Sequence, residues 1–443
     1  MSVANVLPRT ATVVATTMER YDPTLDLRSA WTADIGSIRV LFGDGRTREL
    51  GDEVRRLGAK RALLVTDVGV RAAGHVQRAR QALDDAGVKV HIFDAVEENP
   101  TTAHVRAAVG AAFAADGDID LLIGFGGGSA MDCAKAVNFL LTNGGRMEDY
   151  WGHDRATKPM LPSIGVPTTA GTGSEAQSFA LISQTETGRK MACGDPKARF
   201  RTVILDPSVL PSQPREVAQA TAIDAITHAV ESFVSRRGNP ISQMLAREAW
   251  RLLDAHATAY VDIFNDDVDG ESTRPAHEAV GMDDTQVADR PTLDRLADHP
   301  RAMLLGAHLA GAAIECSMLG AAHACANPLT AHYDMVHGTA VGMMLPHVVR
   351  ANAEAAGGDY ADLARVAGLA DPSAAALADR LEAILRATGQ PLTLTEAGVG
   401  PLDDAALDTL ADDAAAQWTA GFNPRTADAA LCRALYEQVR GAR

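Results

Sequence analysis

Four residues in the second half of the chain have the types and the spacing of a divalent metal site. Asp224 and His228 stand four positions apart in a run without glycine or proline, so both fall on one face of a predicted helix. We expect His323 to end one helix and His337 to begin the next, because helix-breaking residues lie between them and after them. Imidazole and carboxylate donors together suit Fe(II), Zn²⁺ or a similar ion, whereas an isolated Asp-x-x-x-His is more often ordinary packing.

A second group of residues is typical of a phosphate-binding turn. An apolar run at 120–125 predicts a buried strand, and a helical run starts at Ala130. Between them lie Gly126, Gly127, Gly128 and Ser129. Glycines let backbone amides approach a pyrophosphate, and the N-terminus of the following helix attracts negative charge. Surface turns use the same residues, but the flanking strand and helix favour phosphate binding.

A hydroxyl-rich segment follows at 167–175 and contains Thr168, Thr169 and Thr172. Its small residues can turn tightly, and its O–H and N–H groups can donate hydrogen bonds to a phosphate or a ribose. The same composition also occurs in ordinary solvated turns.

Asp67 follows an apolar run at 61–65 that predicts another strand. In a Rossmann-like fold this is where an acidic residue accepts hydrogen bonds from the adenosine ribose. Such a carboxylate also repels the additional phosphate of NADP, so Asp67 favours NAD. The alternative is an aspartate that only starts a turn.

These motifs resemble those of the iron-containing alcohol dehydrogenase family. The segments around the first and second metal pairs are similar to the family's metal-site segments in order and separation, and they imply that Asp224, His228, His323 and His337 bind Fe(II). Residues 126–135, which include Asp132, resemble its dinucleotide-binding turn, and 167–175 resembles its threonine-rich cofactor loop. Lys190 resembles a lysine that contacts the ribose.

The resemblance also implies the fold and the reaction. The expected fold is an α/β N-terminal domain with a Rossmann-like parallel sheet plus an all-α C-terminal domain, as in dehydroquinate synthase-like proteins. The expected reaction is hydride transfer between NAD and a small alcohol or aldehyde bound to the metal. Two alternatives stay open: a dehydroquinate synthase-like lyase that uses NAD transiently, and a catalytically silent binding module.

The chain departs from many relatives at one position near the metal site. They often carry a second histidine four residues after His323, where this chain has Asn327. His332 lies between the predicted ligands and is a candidate for proton relay, although a packed or solvated histidine is an equal interpretation. Three aromatic residues, Phe179, Tyr150 and Trp151, can narrow the pocket and favour small uncharged substrates.

Composition limits the partners. The chain has 443 residues, and its 41 Lys and Arg against 57 Asp and Glu give a net charge of −16. This balance argues against nucleic acid or an anionic membrane as the main partner. Five cysteines without a Cys-x-x-Cys pair do not predict a disulfide framework, and no apolar run reaches membrane-spanning length. We expect a soluble cytoplasmic protein that forms a homodimer or a higher homo-oligomer.

The order of apolar runs predicts two domains. Residues 1–34 are expected to form an extension, 35–211 an NAD(P)-binding α/β domain, and 212–443 a helical metal-binding domain. Residues 265–298 hold ten acidic and three basic side chains and look like a solvated insertion.

Overall fold

The computed structural model describes residues 27–264 and 290–441. It contains an α/β part followed by a helical part, as expected. A parallel α/β sheet occupies the N-terminal half, and helices alone follow from Arg215. This confirms the predicted fold class. The apolar runs at 62–65, 88–93, 121–125 and 203–205 all fall on strands of the sheet or overlap them.

The main sheet has seven strands in the spatial order β1-β2-β10-β7-β5-β3-β4. Their bounds are β1 Trp31–Ile35, β2 Ile38–Phe42, β3 Arg61–Val65, β4 Lys89–Phe93, β5 Leu121–Gly126, β7 Ser163–Pro167 and β10 Thr202–Leu205. β1 and β2 are antiparallel, and every other pairing in this sheet is parallel. The buried strands are almost wholly apolar because helices cover both faces.

Five helices connect these strands: α1 Leu50–Arg56, α2 Val68–Ala72, α3 His75–Asp85, α4 Thr102–Phe113 and α5 Gly128–Asn143. The chain passes from β3 outward to β4 and then returns to place β5 on the other side of β3. The carboxyl ends of β3 and β5 therefore flank a topological switch point, where open α/β sheets commonly bind ligands.

A smaller sheet of three strands was not predicted from the sequence. It has the order β6-β9-β8, with β6 Gly152–His153, β8 Phe179–Ser183 and β9 Lys190–Gly194. The antiparallel pair β8 and β9 packs on α5. It thereby brings the segment around Lys190 to the same side of the domain as the glycine turn.

The helical domain carries nine helices among the described residues. They are α6 Arg215–Val234, α7 Pro240–Asp262, α8 Arg290–Ser317, α9 Ala321–Tyr333, α10 His337–Ala351, α11 Ala353–Val366, α12 Ala374–Ala387, α13 Asp404–Ala415 and α14 Ala429–Val439. Helices α6, α7 and α8 pack closely against one another, and their contact faces belong to one continuous hydrophobic core. This packing fixes α6 between the sheet domain and the remaining helices.

Two predicted segment boundaries differ from the structure. The extension predicted at 1–34 ends inside β1, which pairs along its whole length with β2 and belongs to the sheet; residues 1–26 lie outside the described residues. The insertion predicted at 265–298 extends too far, because residues 290–298 are already helical as the start of α8. A proline in the first turn, Pro291, is compatible with a helix start. Residues 265–289 lie outside the described part of the chain.

Two further findings concern the cysteines and the membrane. All five cysteines lie among the described residues and are free, and four of them are buried. No single described helix is long and apolar enough to cross a membrane. The segments Ala297–Ser317 and Ala321–Tyr333 reach the required length only together, across a bend of 104°.

A histidine pair joins the two longest helices of the second domain. The Nδ1 atoms of His256 on α7 and His299 on α8 lie 2.8 Å apart. Burial and the positive charge of His299 lower the pKa of His256 to about 4, against a raising effect of Asp298. Burial also lowers the pKa of His299. The contact therefore requires that at least one ring is neutral.

We expect this pair to make folding stability depend on pH. In the unfolded chain His256 titrates near about 6.5, so between that value and its folded pKa of about 4 the unfolded state binds more protons. The free energy of unfolding therefore falls as the pH drops through this window. The difference between the free energies of unfolding at about pH 7 and about pH 5 should be about 1–2 kcal/mol smaller in His256→Asn than in the wild type, as measured by urea unfolding. The exposed His153→Asn is the control, and a pH dependence unchanged in His256→Asn would contradict the prediction.

Candidate metal and cofactor site

The predicted cofactor residues of β3 and β5 meet at the switch point of the sheet. Gly126 ends β5, Gly127 precedes α5, and Gly128 begins that helix. A Cβ atom built on Gly126 would lie 3.1 Å from an Oδ atom of Asp67, so the carboxylate is in contact with the glycine turn. Asp67 also accepts a hydrogen bond of 2.9 Å from the N–H of Val70 and so caps α2. Asp67 therefore starts a turn and also lies beside the glycine turn, while its contact with a ribose stays a prediction.

The threonine loop (residues 168–175) folds back over the glycine turn. The N–H of Thr168 donates to the carbonyl of Gly126 over 3.0 Å. A Cβ atom on Gly128 would come within 2.7 Å of the Thr172 side chain, and one on Gly127 would lie 3.5 Å from the Thr169 side chain. Only glycine at position 128 allows this close approach. The structure thus brings two predicted motifs into one surface through residues that are 42 or 44 positions apart in the sequence.

Asp132 fixes the end of the threonine loop through hydrogen bonds and an ion pair. Its carboxylate accepts hydrogen bonds from Ser174 Oγ and from the N–H of Leu181, the latter over 3.1 Å, and it pairs with Lys135 Nζ at 3.1 Å. Lys135 also donates to the backbone carbonyl of Ser174. The described partners of the buried Asp132 side chain are therefore protein groups that fix the end of the threonine loop, while Ser129 stays partly accessible in the first turn of α5.

Lys190 is exposed, and carboxylates of both predicted sites act on its charge. Desolvation lowers its pKa, whereas Asp132 and Asp224 raise it. Its Nζ lies 3.3 Å from Oδ1 of Asn99. Asn99 adopts a left-handed backbone conformation with φ of 52°, which asparagine tolerates better than most residues. Sequence reasoning missed Asn99, although its position before a proline and its turn chemistry were a usable signal.

Three of the four predicted metal ligands form a compact cluster. Ligand atoms of Asp224, His228 and His323 all lie within 4.8 Å of one another, and the three residues are buried. Asp224 Oδ1 is 3.3 Å from His228 Nε2 and 3.6 Å from His323 Nε2. The fourth, His337, lies beside this group, with its ring centroid 5.4 Å from that of His323.

The donor atoms fit a divalent ion. Within the described part of the chain, Asp224 Oδ1, His323 Nε2 and His337 Nδ1 are buried without a hydrogen-bond partner. Unsatisfied polar atoms of this kind are costly, and an ion that they coordinate removes the cost. One carboxylate and three imidazoles suit Fe(II) and also Zn²⁺.

The electrostatics of the cluster favour a positive charge. Burial acts to lower the pKa of His323, but the carboxylates of Asp224 and Glu231 raise it to about 9. Burial lowers the pKa of His228 and brings that of His337 to about 3. His228 and His337 are thus neutral imidazoles ready to bind an ion, whereas His323 holds a proton beside the carboxylates and must release it when it coordinates one.

A direct hydrogen bond connects the metal cluster to the cofactor surface. His228 Nδ1 lies 3.3 Å from the carbonyl oxygen of Gly171, in the middle of the threonine loop. This contact assigns the N–H to Nδ1 and leaves Nε2 free to face Asp224 and an ion. Gly171 can come this close because it has no side chain: a Cβ there would lie 2.4 Å from Thr221 Cβ on α6.

Comparison with known proteins assigns the family. The sequence profile described as iron-containing alcohol dehydrogenase matches residues 37–207. The profile of the C-terminal domain of the Fe-containing alcohol dehydrogenase family matches residues 292–439. This chain belongs to the iron-containing alcohol dehydrogenase family.

Individual relatives agree with the two profiles. Alcohol dehydrogenase 4 of Schizosaccharomyces pombe is 31% identical over 386 residues, which cover 87% of this chain and 83% of the relative. The 1,3-propanediol dehydrogenase of Klebsiella pneumoniae is 32% identical over 408 residues, covering 90% and 96%. The crystal structure of a 1,3-propanediol oxidoreductase has a TM-score of 0.80 and 29% identity, covering 93% of this chain and 99% of that one. The chain is accordingly a metal-dependent, NAD-linked alcohol dehydrogenase or aldehyde reductase.

The structure corrects one detail of this alcohol dehydrogenase's metal site. His323 does not end a helix, as its sequence context suggested, but lies in the first turn of α9, and α9 continues through Pro328. His337 begins α10 as expected. The first turn of a helix is rich in free N–H groups, and a carboxylate from α6 uses them here.

That carboxylate belongs to Glu231, to which the sequence analysis assigned no role. Glu231 accepts hydrogen bonds from the N–H groups of Gly320 and Ala322, at 3.1 and 2.6 Å. Its Oε2 also lies 2.6 Å from His323 Nδ1, which directs Nε2 of the ring toward Asp224. The signal was its spacing, since positions 224, 228 and 231 share one helix face.

The structure does not bring His332 to the metal cluster. His332 is near the C-terminal end of α9, nine residues or about 13 Å along the axis from His323. It is exposed, and its Nε2 lies 2.8 Å from Asp413. This surface position gives no support to a proton relay through His332. Asn327, one turn after His323, donates instead to the side chain of Gln417 over 3.1 Å.

We expect Glu231→Gln to weaken metal binding in this enzyme. The neutral amide neither attracts the ion nor holds the His323 ring as firmly, so affinity should drop about 10- to 100-fold. Metal content after dialysis against graded chelator measures this directly.

Glu382→Gln is the matched control, because it removes a carboxylate of the same domain whose described partner is Arg350 and not a predicted metal ligand. Equal metal retention in Glu231→Gln and in the wild type would show that Glu231 does not position the ligand.

Proposed function

We propose that this enzyme interconverts a small uncharged alcohol or diol and its aldehyde. NAD would lie across Asp67, the glycine turn with Ser129, and the threonine loop, with Lys190 at the ribose. The metal would be held by Asp224, His228, His323 and His337. NAD is favoured over NADP, and Fe(II) over Zn²⁺.

One observation carries this proposal: the hydrogen bond between His228 and Gly171. It joins a metal ligand to the backbone of the loop that contacts the glycine turn. A nicotinamide cofactor bound at that turn would therefore lie close to an alcohol bound at the metal residues. Proximity of this kind lowers the barrier to hydride transfer, because the reacting groups are already held together.

Asp224, His228, His323 and His337 would hold a divalent ion, which when bound would supply Lewis-acid activation of an alcohol or carbonyl oxygen. The protein residues position that ion: Asp224 contributes the negative charge, Glu231 orients His323, and the carbonyl of Gly171 orients His228.

Aromatic side chains support a small uncharged substrate. Phe179 of β8 stacks on Trp418, with ring centroids 5.6 Å apart, so aromatic rings from the two domains are in direct contact. Tyr150 does not contribute, because it packs on Phe139 and donates to the carbonyl of Gly144. Trp151 lies under the guanidinium of Arg189 instead. Two of the relatives are named for 1,3-propanediol, which is a molecule of this size and polarity.

Self-association is part of the proposal. β1 ends the seven-stranded sheet and pairs only with β2 among the described residues, so its outer backbone groups have no strand beside them. An open edge strand of this kind can pair with another chain. Light scattering behind a sizing column would give the molar mass, and a strictly monomeric protein would contradict a homodimer.

The activity test uses purified protein freed of metal with chelator and reloaded anaerobically with Fe(II) or Zn²⁺. NADH absorbance is followed with a panel of short alcohols, 1,2- and 1,3-diols and their aldehydes. We expect turnover that depends on the metal and on a small substrate. Bound metal and bound NADH without any turnover across the panel would favour a lyase-like or silent protein and would overturn the proposal.

Cofactor choice gives a separate prediction. Asp67→Asn removes the negative charge but keeps a residue that caps a helix well, so α2 should stay intact. The preference for NAD over NADP, taken as the ratio of the two kcat/KM values, should fall about ten-fold or more, which corresponds to about 1.4 kcal/mol. An unchanged ratio with unchanged Tm would show that Asp67 serves only as a cap.

A further inference from the structure

Helix α8 of the metal domain presents a stripe of residues to the threonine loop and to the segment after it. His308, Gly311 and Glu315 are spaced by three and four positions and therefore share one helix face. Each contacts a different point: Glu175, Gly173 and Ser178 respectively. The two domains are thus joined along about two turns of helix at the side of the loop away from the glycine turn.

The closest approach is between two glycines. Gly173 adopts a left-handed backbone with φ of 59°, and a Cβ on it would lie 2.6 Å from the Cα of Gly311. A Cβ on Gly311 would in turn lie 2.4 Å from the carbonyl oxygen of Gly173. The loop backbone and the helix backbone are in direct contact here, so a sideways shift of the helix moves the loop.

A buried polar pair lies next to this contact. His308 Nδ1 is 3.1 Å from Glu175 Oε1, and the two side chains are 1% and 3% exposed. Neither residue contacts the glycine turn or the metal cluster in any described contact. Within the described part of the chain, Nε2 of His308 has no hydrogen-bond partner, so the one polar contact of its ring is with Glu175.

We propose that the Glu175–His308 pair positions the threonine loop for cofactor binding, an inference that rests on the proposed role of that loop. The pair fixes the C-terminal end of the loop to α8, while the hydrogen bond from His228 to Gly171 fixes its middle to α6. With both points held, Thr172 stays against Gly128. Without the pair, the Glu175 carboxylate loses its buried donor and the loop end must move to reach water.

Three variants separate positioning from simple stability. His308→Leu removes the donor and leaves Glu175 unpaired. His308→Asn keeps an N–H close to the position of Nδ1 and removes the unpartnered Nε2. The double variant His308→Leu with Glu175→Met replaces the pair by apolar side chains, which is often neutral for stability. His299→Asn is the control on the same helix, because it removes a histidine that pairs with His256 and not with the loop.

The readouts are the Kd for NADH from fluorescence titration of the metal-loaded protein, KM for NAD and kcat with a working alcohol, and Tm. We expect His308→Leu and the double variant to raise the Kd for NADH and KM for NAD about ten-fold or more. His308→Asn should recover most of the wild-type affinity, and His299→Asn should leave it unchanged.

The outcomes distinguish this inference from the proposed function. A folded double variant that binds NADH as tightly as the wild type would overturn the positioning role, because it would show that the pair only avoids a buried charge. A lowered Tm without a change in NADH affinity would overturn it equally. Failure of the wild type itself to bind NADH would instead refute the cofactor site on which the inference rests.

Discussion

The packing of one glycine-containing loop between the two domains determines the rest of the site. Residues 168–175 contact the glycine turn on one side and helices α6 and α8 on the other. Gly171 and Gly173 allow backbone contact with those helices, and contacts this short leave little room for sliding. Because the same loop contacts cofactor residues and a metal ligand, the distance between the two sites is set by close packing rather than by a flexible cleft.

Helix α6 carries three residues of the predicted metal site on one face. Asp224 and His228 lie on this face with their side-chain donor atoms close together, and Glu231 holds the ring of His323 from another helix while it caps that helix. Burying two carboxylates and several imidazoles is costly, and the cost is offset only when each is paired or coordinates an ion. The pKa of His323, raised to about 9, shows how strongly the carboxylates favour positive charge at this position. The dehydrogenase thus prepares a cation site through fixed hydrogen bonds.

Much of the fold and the site was predictable from local patterns. The i, i+4 spacing of Asp224 and His228 predicted their common helix face, and the run at 121–125 before three glycines predicted β5 and the start of α5. Local patterns were wrong where tertiary packing overrides propensity: α9 starts before His323 and continues through Pro328. The three-stranded sheet was not predicted, and its strand β6 has only two residues, too few to show any periodicity.

The sequence by itself determined which residue types stand at which spacing, and it therefore predicted the metal donors, the phosphate turn and the acidic strand end. Spacing is sufficient for these because a helix or a strand fixes the relation of near neighbours. Only the tertiary structure decided which distant residues meet: His228 with Gly171, Glu231 with His323, and Glu175 with His308. It also placed His332 on the surface. Contacts between residues tens to more than a hundred positions apart depend on how whole helices and sheets pack, which no local pattern encodes.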